Sequence, residues 1–518
     1  MTGGGLDRFV DVGPFVRLYT NNRLSRLNRL NPRAAQEHVL RRLVYRAAST
    51  AFGRRHAFSQ IKNIRNYQEQ VRIRTYEEFW TEWWEPHFPT LIDVTWRGRI
   101  SLFANSSGTT TGVYKHIPYT HRMRRAAVAG FLDLVGFHYA CRPNSKVLGG
   151  AAVTLTGPTT LDRQDNDTLT GPVSAITIGS VPGFLARRVL PPPEIANITN
   201  WNEKIRRLAE VATDADVRFL GGSPNWLLIF IAELKQKHGG DNLAHWFPNL
   251  ELVVHGGINF APYRNRFAEL LEGSHAETRE MYSASEGVFA VADRGDGEGL
   301  RLLLDGAVFF EFIPVAELGH PTPSRLTVDE VEVGQDYAVV ITTAAGLWSY
   351  IVGDVVRFVD LSPPRVIVVG RTGNALSEFG EHLIEFEIAD AVSSAVNRVG
   401  TRLQDYCVGA VHEKTGGRHR YLIEVEGQSD AKATRRMAEE IDIHLKERNA
   451  DYRELRTDDT AIGPPEVVLV RQDGFRDWMR LRRYLGGQSK LPHIVKDKAL
   501  FRDIERVAAA EKSPEEIP

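Results

Sequence analysis

Apolar residues fall along this chain in two kinds of run, and their alternation sets the expected fold. Near the N-terminus the apolar positions of residues 36–52 recur at helical spacing and predict a packed helix. From about residue 145 onward, short apolar runs broken by glycine alternate with amphipathic stretches. The runs at 146–153, 217–222, 250–257 and 337–343 read as buried strands, and 100–104 is a further apolar run. The clearest helix between them spans 224–238, with Ser223 as N-cap, Pro224 at the first helical position and Gly239 as a left-handed C-cap. Such alternation predicts an α/β protein with mixed β-sheets flanked by helices. Trp80, Trp83, Trp84, Phe88 and Trp96 crowd residues 75–100, more aromatics than one binding site needs. They predict a helix and its exit loop packed onto a core.

A smaller pattern begins near Gly370 and Arg371. It runs as a helix at 385–399 closed by Gly400, strands at 406–412 and 420–426, a long helix at 431–449 and a strand at 466–471. The expected division is a large N-terminal domain, residues 1–370, and a small, mobile C-terminal α+β domain, residues 371–518. The acidic, proline-bounded end at 513–518 is expected to fray.

Composition narrows the function classes. A chain of 518 residues is too long for a small binding module. Its 64 Lys+Arg against 65 Asp+Glu leave a formal charge of −1, so no global field attracts nucleic acid or a membrane surface. Binding must be local. Cys141 and Cys407 lie far apart, which suits a reducing cytoplasm better than a disulfide framework. No apolar stretch reaches the roughly 20 residues that span a bilayer, and the N-terminus lacks the apolar core of a signal peptide.

Three short stretches carry candidate chemistry. In Asn105-Ser-Ser-Gly-Thr-Thr-Thr-Gly-Val-Tyr-Lys115, Gly108 and Gly112 let the backbone turn and aim N–H groups inward. The hydroxyls of Ser106, Ser107, Thr109 and Thr110 add donors, and Lys115 adds a positive charge, a set suited to polyphosphate oxygens. The lysine stands three residues past the second glycine, so this is not a Walker A loop. A Ser/Thr/Gly surface loop has the same composition. In Tyr282-Ser283-Ala284-Ser285-Glu286-Gly287, a tyrosine can stack on a purine while the carboxylate four residues later holds Mg²⁺. A strand end with an N-cap serine reads the same way. In Tyr350-Ile-Val-Gly-Asp354, the carboxylate suits the two hydroxyls of a ribose, and equally a turn aspartate.

The order and spacing of these stretches resemble the core motifs of the adenylate-forming superfamily of acyl-CoA synthetases, adenylation domains and luciferases. Within it the chain resembles the acyl-acid amido synthetases of plant hormone conjugation and their bacterial relatives. Their signature Ser-Ser-Gly-Thr-x-x-Gly-x-x-Lys, Tyr-x-x-Ser-Glu and Tyr-x-x-Gly-Asp stands at Ser106 to Lys115, Tyr282 to Glu286 and Tyr350 to Asp354. Two further stretches, 52–58 with 71–76 and Gln488-Ser-Lys-Leu-Pro492, are similar to the family's N-terminal pattern and its Gln-x-Lys-x-Pro. Ile351 and His493 stand where arginine is usual, and Thr110-Thr111 departs from the plant pair.

The resemblance implies an ATP- and Mg²⁺-dependent ligase that forms an acyl-adenylate from a small carboxylic acid and passes the acyl group to an amine. It implies Lys490, Glu286 and Thr109 as catalytic residues, with Glu286 also on Mg²⁺. The nucleotide would meet Ser106, Ser107, Gly108, Thr109, Thr110, Gly112, Lys115, Gly256, Gly257, Tyr282, Ser283, Ser285, Asp354 and Arg371. Arg371 reads as a ribose contact or an interdomain salt bridge, and Gly373 or Asn374 as the hinge. An acid–thiol ligase making acyl-CoA or loading a carrier protein, and a non-catalytic nucleotide-binding homologue, remain the alternatives.

Overall fold

The computed structural model describes residues 11–107, 114–157, 159–179, 183–372, 376, 378–379, 381, 383–412, 417–427, 430–456, 462–482 and 491–509. The chain forms two compact units, and they are not contiguous in sequence. The first holds residues 1–258, 268–352 and 357–367, whereas the second holds 259–267, 353–356 and 368–518.

The first unit is built on one long mixed sheet. From one edge its strands run Val189–Leu190, Ala151–Thr154, Val217–Gly222, Leu252–His255 and Glu277–Ala284, all parallel. The sheet then turns antiparallel through Gly287–Val291, Leu300–Leu302 and Pro364–Arg371, and continues by Tyr350–Leu361 and Asp336–Thr343 to Val308–Pro314. The parallel strands read as unbroken apolar runs because helices cover them. Trp201–Ala212 is one such helix, burying Trp201, Lys204, Ile205, Leu208, Ala209 and Ala212 at helical spacing.

Several expected elements shift for local reasons. The helix read at 36–52 is two helices, Pro32–Ala47 and Ala51–Arg55. Thr50 separates them: its hydroxyl donates to the Ala47 carbonyl at 2.7 Å and accepts from Gly53 N–H at 3.0 Å. The strand read at 146–153 begins only at Ala151, after a turn in which Gly149 N–H bonds the Lys146 carbonyl. Helix Pro224–His238 lies where expected, but Ser223 does not cap it by its side chain, because its hydroxyl donates to Asn225 Oδ1 instead. Gly239 ends it at φ +67°, ψ −167°, outside the left-handed helical region, with its N–H on the Lys235 carbonyl.

The aromatics of 75–100 do pack a core. Trp83, Trp84 and Trp96 are buried, and Trp84 Nε1 and Trp348 Nε1 donate to the hydroxyl and carbonyl of Thr95 at 3.2 and 2.8 Å. Phe52 packs among Phe58, Phe79, Trp83 and Trp348, and Phe79 reaches Tyr350.

In the second unit, Leu403–His412 pairs antiparallel with Gly417–Val425, which pairs parallel with Glu466–Val470. Side chains alternate across this sheet with period two. Tyr406, Val408, Tyr421 and Ile423 join helices Glu385–Arg398 and Ala431–Arg448 in one core. Cys407 and Leu422 join Phe475, Trp478, Phe501 and Ile504 in another. The helices of that second core, Gly474–Leu481 and Lys498–Ala508, escaped the sequence reading. No helix among the described residues is long and apolar enough to cross a membrane.

Gly346 supports the aromatic core from below. It has φ +86°, and a Cβ there would meet Thr95 Oγ1 at 2.6 Å and its carbonyl at 2.8 Å. Left-handed backbone costs an alanine about 1–2 kcal/mol and overpacking about 1–3. Gly346→Ala is expected to lower the unfolding free energy by about 2–5 kcal/mol in urea titrations; an unchanged midpoint would contradict the packing described here.

Candidate active site

In the first unit, strand Leu102–Ser107 pairs with Tyr114–Pro118, placing Ser106 opposite Lys115. Gly108, Thr109, Thr110 and Gly112 lie outside the described residues. The Lys115 Nζ is 3.4 Å from Glu77 Oε1 and 5.0 Å from the centre of the Tyr76 ring, whose hydroxyl accepts from His116 N–H at 2.8 Å. Burial pushes the Tyr76 hydroxyl up to about 12. It opposes ionisation of Glu77 too, yet a backbone hydrogen bond and Lys115 hold that carboxyl below its usual range.

The second stretch ends strand Glu277–Ala284, with a register shift between Tyr282 and Ser283 before the chain reverses into Gly287–Val291. Tyr282 is buried, its ring edge-to-face with Phe289 at 5.1 Å. The neighbouring strand ends at His255, opposite Glu280. Gly256 follows so close that a Cβ would stand 2.3 Å from the Met281 carbonyl oxygen, so only glycine brings the backbone here beside Tyr282. Gly257 continues at φ +84°.

Hydrogen bonds tie the stretches together. Ser285 Oγ donates to the Asn105 carbonyl at 3.5 Å, joining the second to the first. The Tyr350 hydroxyl donates to Glu286 Oε1 at 3.0 Å, joining the third to the second, and both residues are buried. Among the described residues no group of three or more His, Cys, Asp or Glu could hold a metal ion.

What positions Tyr350 was missed in the sequence. Arg74 N–H donates to the Ser349 carbonyl at 2.9 Å and Ile351 N–H to the Arg74 carbonyl at 3.0 Å, which gives the 71–76 stretch its purpose. Ile351 packs with Ile313, Ala338 and Val340. Ser349 itself has φ +49°. Its hydroxyl donates to Glu311 Oε2 at 3.2 Å and receives the Arg325 guanidinium at 2.6 Å, with the Tyr67 hydroxyl 3.0 Å away. Arg325 also clamps both Glu311 oxygens at 2.9 Å, and Gln68 Nε2 adds a donor at 3.0 Å. The visible signal was one carboxylate inside the apolar run Val308–Pro314.

The second unit holds the rest. Residues 353–356, Asp354 among them, group with it by their contacts. The reason is local: Gly353 O accepts Thr372 N–H at 2.7 Å, and Arg371 Nε is 3.1 Å from Asp354 Oδ1. This Arg371–Asp354 ion pair is made inside the second unit. Gly373, Asn374 and Lys490 lie outside the described residues. His493 is buried between Glu385 and Asp405.

Models of the GH3 family N-terminal, central and C-terminal domains match residues 23–193, 301–371 and 386–499 in that order, most of the chain. The chain belongs to the GH3 family. Curated GH3 relatives include an Arabidopsis thaliana indole-3-acetic acid-amido synthetase, GH3.4, 27% identical over 284 residues covering 51% of this chain and 47% of the relative. A probable indole-3-acetic acid-amido synthetase of Oryza sativa subsp. japonica, GH3.9, is 31% identical over 256 residues, covering 45% and 57%. This chain thus spans about half the length of the curated relatives it matches. In fold it is similar to the GH3.15 acyl acid amido synthetase in complex with 2,4-DB, at TM-score 0.80 and 19% identity, covering 98% of this chain and 99% of that one. It is also similar to a 2-hydroxyisobutyryl-CoA ligase in complex with 2-HIB-AMP, at TM-score 0.61 and 14% identity, covering 90% of each. The GH3 central domain match takes in both Tyr350 and Asp354.

Arg325→Leu leaves the Glu311 carboxylate buried without its cation, a change that costs about 3–5 kcal/mol in comparable pairs. A loss of that size in chemical denaturation is expected; a loss under about 1 kcal/mol would show that Glu311 needs no such partner.

Proposed function

We propose that this GH3 protein is an ATP-dependent ligase that activates a carboxylic acid as its acyl-adenylate and passes the acyl group to an amine, that of an amino acid, releasing AMP. The observation that carries this reading is the meeting of three stretches at Glu286, through the Ser285 and Tyr350 hydrogen bonds. It is supported by relatives named as indole-3-acetic acid-amido synthetases.

A carboxylate is a poor acyl donor because its leaving group would be oxide. Activation therefore comes first. One carboxylate oxygen attacks the α-phosphorus of ATP, the bond to the bridging oxygen breaks, and pyrophosphate leaves. Such chemistry asks the protein mainly for in-line positioning and for cations near spreading charge. The stretch from Ser106 to Lys115, with the Thr109 hydroxyl, holds the β- and γ-phosphates. Tyr282 stacks the adenine, Gly256 and Gly257 let the base lie against the backbone, and Ser283 and Ser285 border it. Asp354 takes the ribose hydroxyls beside Arg371.

Glu286 fits Mg²⁺ as a single hard carboxylate, the donor this ion takes together with substrate phosphate oxygens. When bound, the ion supplies charge neutralisation at the phosphates. Lys490 offsets repulsion between the incoming carboxylate and the α-phosphate, a contribution of about 10²–10³ in rate by analogy with other preorganised donors. In the second half-reaction the amine nitrogen attacks the anhydride carbonyl, the C–N bond forms, the C–O bond to phosphate breaks, and AMP leaves with its electron pair. The amine's surplus proton passes to solvent. We assign ATP and acid binding to residues 1–370 and the catalytic lysine to a mobile 371–518, and place the protein in the cytoplasm on its two free thiols.

An acid–thiol ligase passes through the same adenylate. AMP release that rises on adding amino acids and not on adding CoA is the expected result; turnover raised only by the thiol would make the amide assignment wrong. ATP binding without pyrophosphate release across a broad acid panel would favour a silent homologue.

Lys490→Ala is expected to abolish acid-dependent pyrophosphate exchange while leaving ATP affinity nearly unchanged. Asp354→Ala removes a contact made in ground and transition states alike, so it raises the KM for ATP more than it lowers kcat. Exchange within about twofold of wild type in Lys490→Ala, far from the loss such charges produce, would remove Lys490 from the catalytic set.

A further inference from the structure

Three residues past Lys490 in the sequence, His493 is buried with a carboxylate on each ring nitrogen. Nδ1 is 3.0 Å from Glu385 Oε1, and Nε2 is 3.1 Å from Asp405 Oδ1. A neutral imidazole has one donor nitrogen and one acceptor, so with both carboxyls ionised only the imidazolium satisfies both contacts. The Tyr406 ring stacks on it at 4.4 Å, and the Tyr263 hydroxyl donates to Asp405 Oδ1 at 3.4 Å. Glu385 from helix Glu385–Arg398, Asp405 and Tyr406 from strand Leu403–His412, and Tyr263 from the turn Ala261–Tyr263 are thus the titratable groups around the ring. Burial works against the charge, but the two carboxylates outweigh it and lift the imidazole to about 10. The backbone is held at the same place. The His493 carbonyl accepts Val408 N–H at 2.8 Å, and Val495 N–H donates to the Val408 carbonyl at 2.8 Å.

We infer that His493 is a positioning residue for Lys490: an imidazolium clamped by Glu385 and Asp405 fixes the chain just past the lysine to strand Leu403–His412. The inference rests on the reading of Lys490 as the catalytic lysine.

The test compares His493→Gln, which loses the charge, with His493→Arg, which keeps it. Each is assayed for acid-dependent pyrophosphate exchange, for amide hydrogen exchange at residues 491–495, and for melting temperature. His493→Gln is expected to lose protection at 491–495 and to lower kcat at least about tenfold, a lost charge–carboxylate hydrogen bond, with the KM for ATP within about twofold. His493→Arg is expected to restore kcat to within about threefold, because the cation and its donors are back. Because the folded pKa is raised, the charge-linked stability is fully present below pH 6.5 and is lost as pH rises through about 10. The wild-type melting temperature should therefore fall relative to that of His493→Arg between pH 7 and pH 10. Unchanged protection in His493→Gln, an arginine variant as impaired as the glutamine one, or parallel pH curves would each overturn the clamp. If Lys490→Ala abolishes exchange but His493→Gln does not, the positioning role fails alone. If Lys490→Ala retains exchange, the catalytic-lysine reading fails and the positioning role with it.

Discussion

A carboxylate with no exposed surface has to be met by donors on every side, and Glu311 imposes that demand on the first unit. Arg325, Gln68 and the Ser349 hydroxyl answer it. Meeting it holds Ser349 at φ +49°, a conformation that costs a non-glycine residue about 1–3 kcal/mol and persists only where its surroundings over-determine it. The next residue is Tyr350, so the direction in which its hydroxyl points is set by a carboxylate far away in the sequence. Glu286 is then held by that hydroxyl, and the strand ends around it follow.

The N-terminal segment serves the same demand. Phe52 and Phe58 pack on Trp348, Phe79 stacks on Phe52, and Arg74 pairs by its backbone on both sides of Tyr350. Arg74 is itself nearly buried, lying over the Phe52 and Phe79 rings with its guanidinium 3.2 Å from His56 Nε2. Burial and the nearby arginines hold His56 below the ordinary imidazole range, which suits a neutral ring accepting from that guanidinium.

Much of this was legible because it is local. Strands 217–222 and 336–343 announce themselves by apolar runs, helix 224–238 by Pro224, and the three motifs by residue types at fixed spacing. What stayed hidden depends on pairings distant in sequence. Nothing near Glu311 names Arg325 or Ser349 as its partners, and nothing near His493 names Glu385 and Asp405. Helices Gly474–Leu481 and Lys498–Ala508 were missed because they are short and each presents only a few apolar residues, among them Phe475, Trp478, Phe501 and Ile504. Nothing in the composition marks residues 353–356 as grouping with the second unit, because a strand can run through both units, a property of contacts and not of composition.

The discontinuous second unit also has a consequence for synthesis. Tyr263 is wholly buried there, yet its partner Asp405 follows 142 residues later. At about 5–20 residues per second, the tyrosine leaves the ribosome on the order of ten seconds before the strand that covers it exists. During that interval residues 259–267 travel with the first unit's nascent chain, so the second unit is completed only when the last part of the chain meets a turn made earlier. A fragment beginning at residue 371 would inherit the same gap, lacking the turn that the complete chain made long before.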